Sequence, residues 1–172
     1  RLDRLCGAVV QRTVTGERHN GGSCELWLRQ GPASAFTSVV EWQGTNSTTL
    51  TAETLGTLPA DAYLAEQHPT VPTLYSGRIW RRSNGWDWPF YVGHGNVVVT
   101  YSAGRYATTA AVDDRFKEAA AIMLRNFWRS IAPSAIQDGE FDIPISSFPR
   151  FAIPNAVRQL LRDEIIEIPG IG

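Results

Sequence analysis

Apolar and polar residues alternate along several short stretches of this chain, which is typical of β-strands with one buried face. Residues 24–29 and 36–42 alternate in this way, and residues 74–82 predict a further strand. Residues 96–101 are β-branched or aromatic almost throughout and give the strongest strand prediction. Together these stretches predict an antiparallel β-rich region over residues 11–104.

Two tight turns and one stretch that is harder to assign complete this region. Asn20-Gly21 accepts the positive φ angles of a type I′ turn, so we predict that it joins two strands in a hairpin, and residues 83–85 predict a second turn. The prolines within residues 44–73 exclude a long helix there. We expect only short strands in that stretch, near Leu50 and near Tyr63.

Towards the two ends of the chain, the apolar positions recur with the 3.6-residue period of an α-helix. Residues 1–10 predict the last turns of one helix, and residues 113–131 predict a longer helix with Asp113 as its N-cap. Prolines predict an extended loop over residues 133–153, followed by a short helix at 154–163. The expected fold class is α+β: helical segments flanking an inserted antiparallel β-rich region, with an extended C-terminal tail.

The end of the chain is apolar, and this has a physical consequence. We expect residues 1–163 to form a single domain and residues 164–172 to form a tail. An isoleucine left in water forgoes roughly 1.5–3 kcal/mol of burial, and the tail contains Ile165, Ile166, Ile168 and Ile171. The tail therefore either folds back on its own domain or docks on a partner, for example as an added strand.

Composition excludes several classes of function. The chain of 172 residues has 16 basic and 17 acidic side chains and a net charge of −1, which argues against a dedicated nucleic-acid binder. No apolar run reaches the roughly 18 residues needed to cross a bilayer. No secretory leader is visible either, so we expect no membrane partner. Cys6 and Cys24 lack metal-site spacing and are expected to be buried free thiols.

Candidate catalytic groups are few. The three histidines, His19, His68 and His94, do not stand at metal-ligand spacing, and each is expected to be a solvated loop residue. No nucleophile elbow, phosphate-binding loop or zinc-binding helix motif occurs in the sequence. We therefore predict no enzymatic activity, no catalytic or metal-binding residue and no cofactor.

Aromatic residues are concentrated between Tyr75 and Tyr91, where Trp80, Trp86 and Trp88 lie among several arginines. An exposed platform of such rings can stack on sugars or bases. The same rings can instead fill the core or join subunits, because Trp, Tyr and Arg are enriched in protein interfaces. We favour subunit and core contacts, and the alternative is a carbohydrate-binding module that uses the three tryptophans.

The order of several segments carries a family resemblance. These are residues 13–22 (TVTGERHNGG), 26–29 (LWLR), 77–104 with its NVVVTYSAG, the helix that starts at Val112, and the closing helix. In this order the chain resembles the head–tail connector (adaptor) proteins of long-tailed double-stranded DNA bacteriophages, and the resemblance covers most of residues 11–163.

The resemblance implies a structural virion protein without enzymatic activity or cofactor. Members of that family form a ring of identical subunits, usually a dodecamer, beneath the portal protein. The ring extends the DNA channel and docks the stopper or tail-completion protein, so the implied location is the head–tail interface of the virion, and the host cytoplasm during assembly. Genomic double-stranded DNA would pass through the lumen without sequence-specific binding, which suits a chain of balanced charge.

The helix at 113–131 is expected to take part in the assembly of such a ring. A closed ring needs two different faces on each subunit that repeat head-to-tail. The apolar stripe of this helix is wide enough to face both the sheet and a neighbouring subunit. We predict that Arg125 and Arg129 lie near a subunit or portal contact.

Overall fold

The computed structural model describes residues 2–131 and 153–164. It is mostly β, with 41% strand and 20% helix, so the predicted α+β class with helices flanking an inserted sheet is wrong. The reason is that residues 44–73 contribute two full strands, while the first helix is only Leu2–Cys6. Gly7–Ala111 forms one compact unit, and the described residues outside that range form a second. A single domain over residues 1–163 stays a prediction.

Eight strands, numbered in chain order, form the sheet of the first unit. They are β1 Arg12–His19, β2 Glu25–Trp27, β3 Ala33–Gln43, β4 Asn46–Ala52, β5 Ala62–Gln67, β6 Tyr75–Ser83, β7 Trp86–Asp87 and β8 Val97–Ala103. Their order across the sheet is β1-β8-β3-β4-β5-β6-β2, and β7 pairs with β6. These pairs are antiparallel, except that β4 and β5 run parallel.

Four of the strands close into a barrel. β3 pairs with β4, β4 with β5 and β5 with β6, and β6 returns to β3 where Ala33 lies opposite Tyr75. The parallel pair joins Thr51 to Ala62, inside the stretch that the sequence left without firm assignment. An alternating pattern identifies a strand and its buried face, but it carries no information about which strand lies beside it.

The core follows the alternation along β8, and the strand predicted at 96–101 is confirmed. Val97, Val99, Tyr101 and Ala103 are buried, whereas the residues between them are only half-buried. β8 lies between β1 and β3. Both of its edges are therefore hydrogen-bonded, and its inward side chains make up a large part of the core.

The turn predicted at residues 83–85 is confirmed. It joins β6 to β7, which pair antiparallel with Ser83 opposite Trp86. Asn84 has a φ of 50° and Gly85 a φ of 83°. Two successive positive φ angles are those of a type I′ turn, and Asn-Gly adopts them at the lowest steric cost.

The hairpin predicted at Asn20-Gly21 is wrong, because β1 pairs with β8 and β2 pairs with β6. The dipeptide instead bonds to the loop after β7. Asn20 Oδ1 accepts the N–H of Gly95 at 2.9 Å, and the N–H of Gly21 donates to the carbonyl of Gly93 at 3.0 Å. A Cβ on Gly21 would lie 1.9 Å from the carbonyl oxygen of Tyr91, so this close approach requires glycine.

The second unit contains α1 Leu2–Cys6, α2 Asp114–Ile131, α3 Asn155–Leu160 and a 3₁₀ turn at Arg162–Glu164. The helix predicted at 113–131 and its cap are confirmed, because Asp113 Oδ1 accepts the N–H of Arg115 at 2.8 Å. This backbone hydrogen bond, followed by the Arg115 side chain, lowers the pKa of the Asp113 carboxyl.

The other two predicted helices are shorter than expected. The first ends at Cys6, where the φ of Gly7 is 75°, and the last occupies only Asn155–Leu160. Within the second unit α2 packs against α3. The loop predicted at 133–153 and the tail at 164–172 lie outside the described residues, except for the end of the loop and Glu164.

Candidate functional site

Strand β6 carries three arginines, and each is held by two carboxylates. Arg81 Nε lies 3.1 Å from Glu41 and its Nη2 lies 2.7 Å from Asp61. The other sets are Arg78 with Glu25 and Glu66, and Arg82 with Glu53 and Asp87. One guanidinium carries +1 and two carboxylates carry −2, so each set has a formal charge of −1. The three sets together carry a formal charge of −3, although the chain as a whole is nearly neutral.

Glu41 and Arg81 are both buried. Arg81 also donates to the backbone carbonyls of Ala62 and Arg82, and Glu41 accepts the N–H of Tyr91. The pair thereby joins β3, β5, β6 and the loop after β7. Because each charge is compensated and hydrogen-bonded, the pair has a structural role in the barrel.

The guanidinium of Arg78 lies over two indole rings. It is 4.2 Å from the ring centre of Trp80 and 5.2 Å from that of Trp27, which is the residue opposite Arg78 in the β2–β6 pairing. Arg78 thus covers part of the ring of Trp80, and Trp80 is only half-exposed. The three tryptophans predicted as a platform are therefore not equivalent.

Trp86 and Trp88 are the accessible tryptophans of that group, with 77% and 53% of their surface exposed. Leu55 and Leu58, in the loop between β4 and β5, are exposed as well, Leu55 fully so. We call these four residues the barrel tip. Exposed large apolar side chains that occur together in this way mark interaction surfaces more often than isolated ones do.

Two contacts hold the parts of the barrel tip together. The N–H of Asn84, in the β6–β7 turn, donates to the carbonyl of Pro59 at 2.9 Å. In the same turn, a Cβ on Gly85 would lie 3.1 Å from Cδ1 of Leu58. The loop before β5 therefore packs on the turn that precedes Trp86, and both contribute to one surface.

A second exposed apolar surface lies on α2. Ala121, Leu124, Arg125 and Trp128 line a shallow groove there, and their spacing places them on one side of the helix. Leu124 is 66% and Trp128 69% exposed. We call these four residues the helix face. Arg129, predicted to act with Arg125, is in the last turn of α2, and its side chain is not among those described.

A buried carboxylate, Glu17, joins β1 to β8 and to the segment after β2. It accepts the hydroxyl of Tyr101 at 2.9 Å and the N–H of Arg29 at 2.8 Å, and it lies 2.7 Å from Nε2 of His19. Burial, followed by the Glu17 hydrogen bond, raises the pKa of Tyr101. His19 ends β1 and is largely buried, so its predicted place in a solvated loop is wrong.

Comparison of the chain with protein-family models, with curated proteins and with solved structures found no match. Within residues 2–131 and 153–164, no group of three or more His, Cys, Asp or Glu side chains is arranged to hold a metal ion. Cys6 and Cys24 are free cysteines; the prediction of a buried thiol is confirmed for Cys6, whereas Cys24 is only half-buried. No helix in the described part of the chain is long and apolar enough to span a membrane.

The predicted interface residues thus fall into four groups. Trp86 and Trp88 belong to the barrel tip and Arg125 to the helix face, whereas Trp80 is partly covered. The isoleucines of the tail, Ile165, Ile166, Ile168 and Ile171, lie outside the described residues. The sequence reasoning missed Leu55 and Leu58. Their signal was available, since both are large apolar residues in a stretch of turn-forming residues.

Proposed function

We propose that this chain is a structural subunit of a phage head–tail adaptor ring, which binds its own copies, the portal protein and a stopper or tail-completion protein. The observation that carries the proposal is the presence of two exposed apolar surfaces, the barrel tip and the helix face. A function confined to one small-molecule site would account for at most one of the two surfaces.

The energetic argument concerns the state of an isolated subunit. Each large apolar side chain left in water forgoes roughly 1.5–3 kcal/mol of burial, and the barrel tip alone exposes four such side chains. An assembly that covers these surfaces recovers that free energy. A subunit with two unlike surfaces suits a head-to-tail ring, because each copy then presents one surface to each neighbour.

The identity of the assembly rests on the resemblance of residues 11–163 to connector proteins. The segments that carry it are also the framework of the fold: residues 13–19 lie in β1, residues 97–103 form β8, and the helix after them is α2. The channel role is supported by the balanced charge of the chain. A lining that does not neutralise phosphates lets DNA move through it.

Electron microscopy of the purified chain with the portal protein of its phage tests this proposal. We expect rings with a central channel, stacked on the portal. A variant with Trp86→Ala and Leu124→Ala should form fewer rings, whereas Thr49→Ala, at an exposed position of β4, should leave ring formation unchanged. A chain that stays monomeric and does not bind the portal would contradict the proposal.

The second candidate function, a carbohydrate-binding module, is favoured by the exposure of Trp86 and Trp88, since indole faces stack on sugar rings. Glycan-array binding followed by titration separates the two candidates. Saturable binding that is lost in Trp86→Ala and kept in Leu124→Ala would favour the carbohydrate-binding module. An adaptor subunit should show no saturable glycan binding.

A further inference from the structure

We infer that the helix face of one copy of this chain binds the barrel tip of the next copy. The inference rests on the proposed ring, and it names the two surfaces that meet at each contact between subunits. The structure supplies two independent reasons for pairing them, one from apolar exposure and one from charge.

The first reason is that both surfaces are apolar at the centre and charged at the border. The centre of the barrel tip is formed by Trp86, Trp88 and two leucines, and that of the helix face by Leu124 and Trp128. Tryptophan is the residue most enriched where binding energy is concentrated in interfaces. Two such centres exclude water from each other when they meet.

The second reason is that the borders carry opposite charges. Asp61 and Asp87, beside the barrel tip, have 56% and 57% of their side chains exposed. Their guanidinium partners, Arg81 and Arg82, are already shared with Glu41 and Glu53 and are much less exposed, at 3% and 19% of their side chains. The accessible charge at the barrel tip is therefore carboxylate.

The helix face has the complementary charge. Residues 121–131 of α2 contain two arginines, Arg125 and Arg129, and no acidic residue. Arg125 is exposed and lines the groove together with Leu124 and Trp128. An arginine at the edge of an apolar contact can bind a carboxylate with two parallel hydrogen bonds, and we assign Asp87 as the partner of Arg125 in the next copy.

Charge also explains why unlike surfaces pair. If two barrel tips met, carboxylates would face carboxylates. If two helix faces met, arginines would face arginines, and both arrangements are repulsive. Only the contact of a barrel tip with a helix face is attractive. A contact between two different surfaces repeats from copy to copy and can close into a ring, whereas a contact between identical surfaces ends at a dimer.

A charge exchange between two variants tests the contact. Asp87→Arg makes the barrel tip basic, and Arg125→Glu makes the helix face acidic, so each variant alone presents like charges at every contact. In an equimolar mixture, each variant finds its complement in the other. We expect sedimentation velocity to show self-association weakened at least tenfold for each variant alone and regained in the mixture. Only contacts between different chains can produce that recovery.

One further measurement and two further variants complete the design. Circular dichroism checks that the variants fold. If Asp87→Arg does not fold after losing its pairing with Arg82, Leu55→Arg takes its place, because Leu55 is fully exposed. Arg158→Glu, at an exposed position of α3, is the matched control and should associate like the wild type.

Each outcome has a distinct meaning. Single variants that associate like the wild type, or a mixture that does not recover, would overturn this contact and leave the proposed ring intact. A wild-type chain that stays monomeric at millimolar concentration, both alone and on the portal, would overturn the ring and the contact together. If Asp87→Arg forms rings normally but no longer binds a downstream protein, the barrel tip binds that protein rather than the next copy, and the inference is overturned.

Discussion

The first unit contains two buried glutamates whose charges are compensated in different ways. Glu41 is paired with the guanidinium of Arg81 and accepts one backbone N–H. Glu17 instead accepts the hydroxyl of Tyr101 and the N–H of Arg29, and it lies 2.7 Å from Nε2 of His19. One carboxylate is thus held mainly by an opposite charge and the other mainly by neutral donors.

This difference predicts how the stability of each region responds to substitution of the groups around its glutamate. Removing the only cation beside a buried carboxylate leaves an uncompensated charge in a medium that solvates it poorly. Removing one of several neutral donors leaves a carboxylate that still has the others. We therefore expect the Glu41 side of the sheet to tolerate substitution less than the Glu17 side.

The largest effect is expected for Arg81→Met. This change keeps much of the side-chain volume but leaves the buried carboxylate of Glu41 without its guanidinium partner. We expect the free energy of unfolding to fall by about 3–5 kcal/mol. Urea denaturation measures it. The double variant Glu41→Leu/Arg81→Met should recover part of the loss because no charge remains buried. If Arg81→Met lowers the free energy of unfolding by less than about 1 kcal/mol, Glu41 does not depend on Arg81 for charge compensation.

A smaller loss is expected for Tyr101→Phe, which removes one hydrogen bond to Glu17 and leaves the ring in place. Hydrogen bonds to charged groups contribute about 1.5–3 kcal/mol, and we expect a loss in that range by urea denaturation. Tyr91→Phe is the control, because only the backbone of Tyr91 bonds to Glu41. Equal effects of the two changes would contradict the role given to the Tyr101 hydroxyl.

Alkaline pH tests the same hydroxyl without changing the fold. Burial, followed by the Glu17 hydrogen bond, raises the pKa of Tyr101 above its ordinary value of 10.0. The folded protein therefore keeps a proton that the unfolded chain loses. This contribution to stability is fully present below about pH 10 and decreases as the pH rises towards the folded pKa. The stability of Tyr101→Phe should fall less steeply above about pH 10 than that of the wild type, and parallel curves would contradict this.

The smallest effect on stability is expected at the barrel tip. Trp86→Ala removes an exposed ring, so the free energy of unfolding should change by no more than about 0.5 kcal/mol. Its effect on self-association should be much larger, because that ring is proposed to be covered by the next copy. A change that destabilises the monomer as much as Tyr101→Phe does would mean that Trp86 belongs to the core of the first unit.

The sequence predicted the parts of the fold that depend on neighbouring residues. The β-branched run at 96–101 became β8, Asn84-Gly85 became a type I′ turn, and Asp113 became the cap of α2. The hairpin at Asn20-Gly21 failed because its turn-forming residues bond instead to the loop after β7. Turn propensity at a dipeptide is real, but it does not determine which segment the dipeptide faces.

The candidate site was predictable to a similar extent. The sequence predicted contacts for Trp86, Trp88 and Arg125, because Trp and Arg are enriched in protein interfaces. All three are exposed in the structure, and their contacts stay a prediction. The sequence reasoning missed the place of Leu55 and Leu58 beside Trp86. That proximity depends on the packing of the loop before β5 against the β6–β7 turn, far along the chain.

The sequence by itself determined where β8 and the β6–β7 turn lie, which side of β8 is apolar and where the long helix starts, since these properties follow from side chains a few positions apart. Tertiary structure alone decided that β6 returns to β3, that β4 and β5 run parallel, and that Glu41 meets Arg81 inside the barrel. The reason is physical. Two distant segments pair when the free energy gained by burying apolar surface over the whole sheet exceeds the entropy lost in closing the loops between them. A local pattern of residues contains no information about that balance.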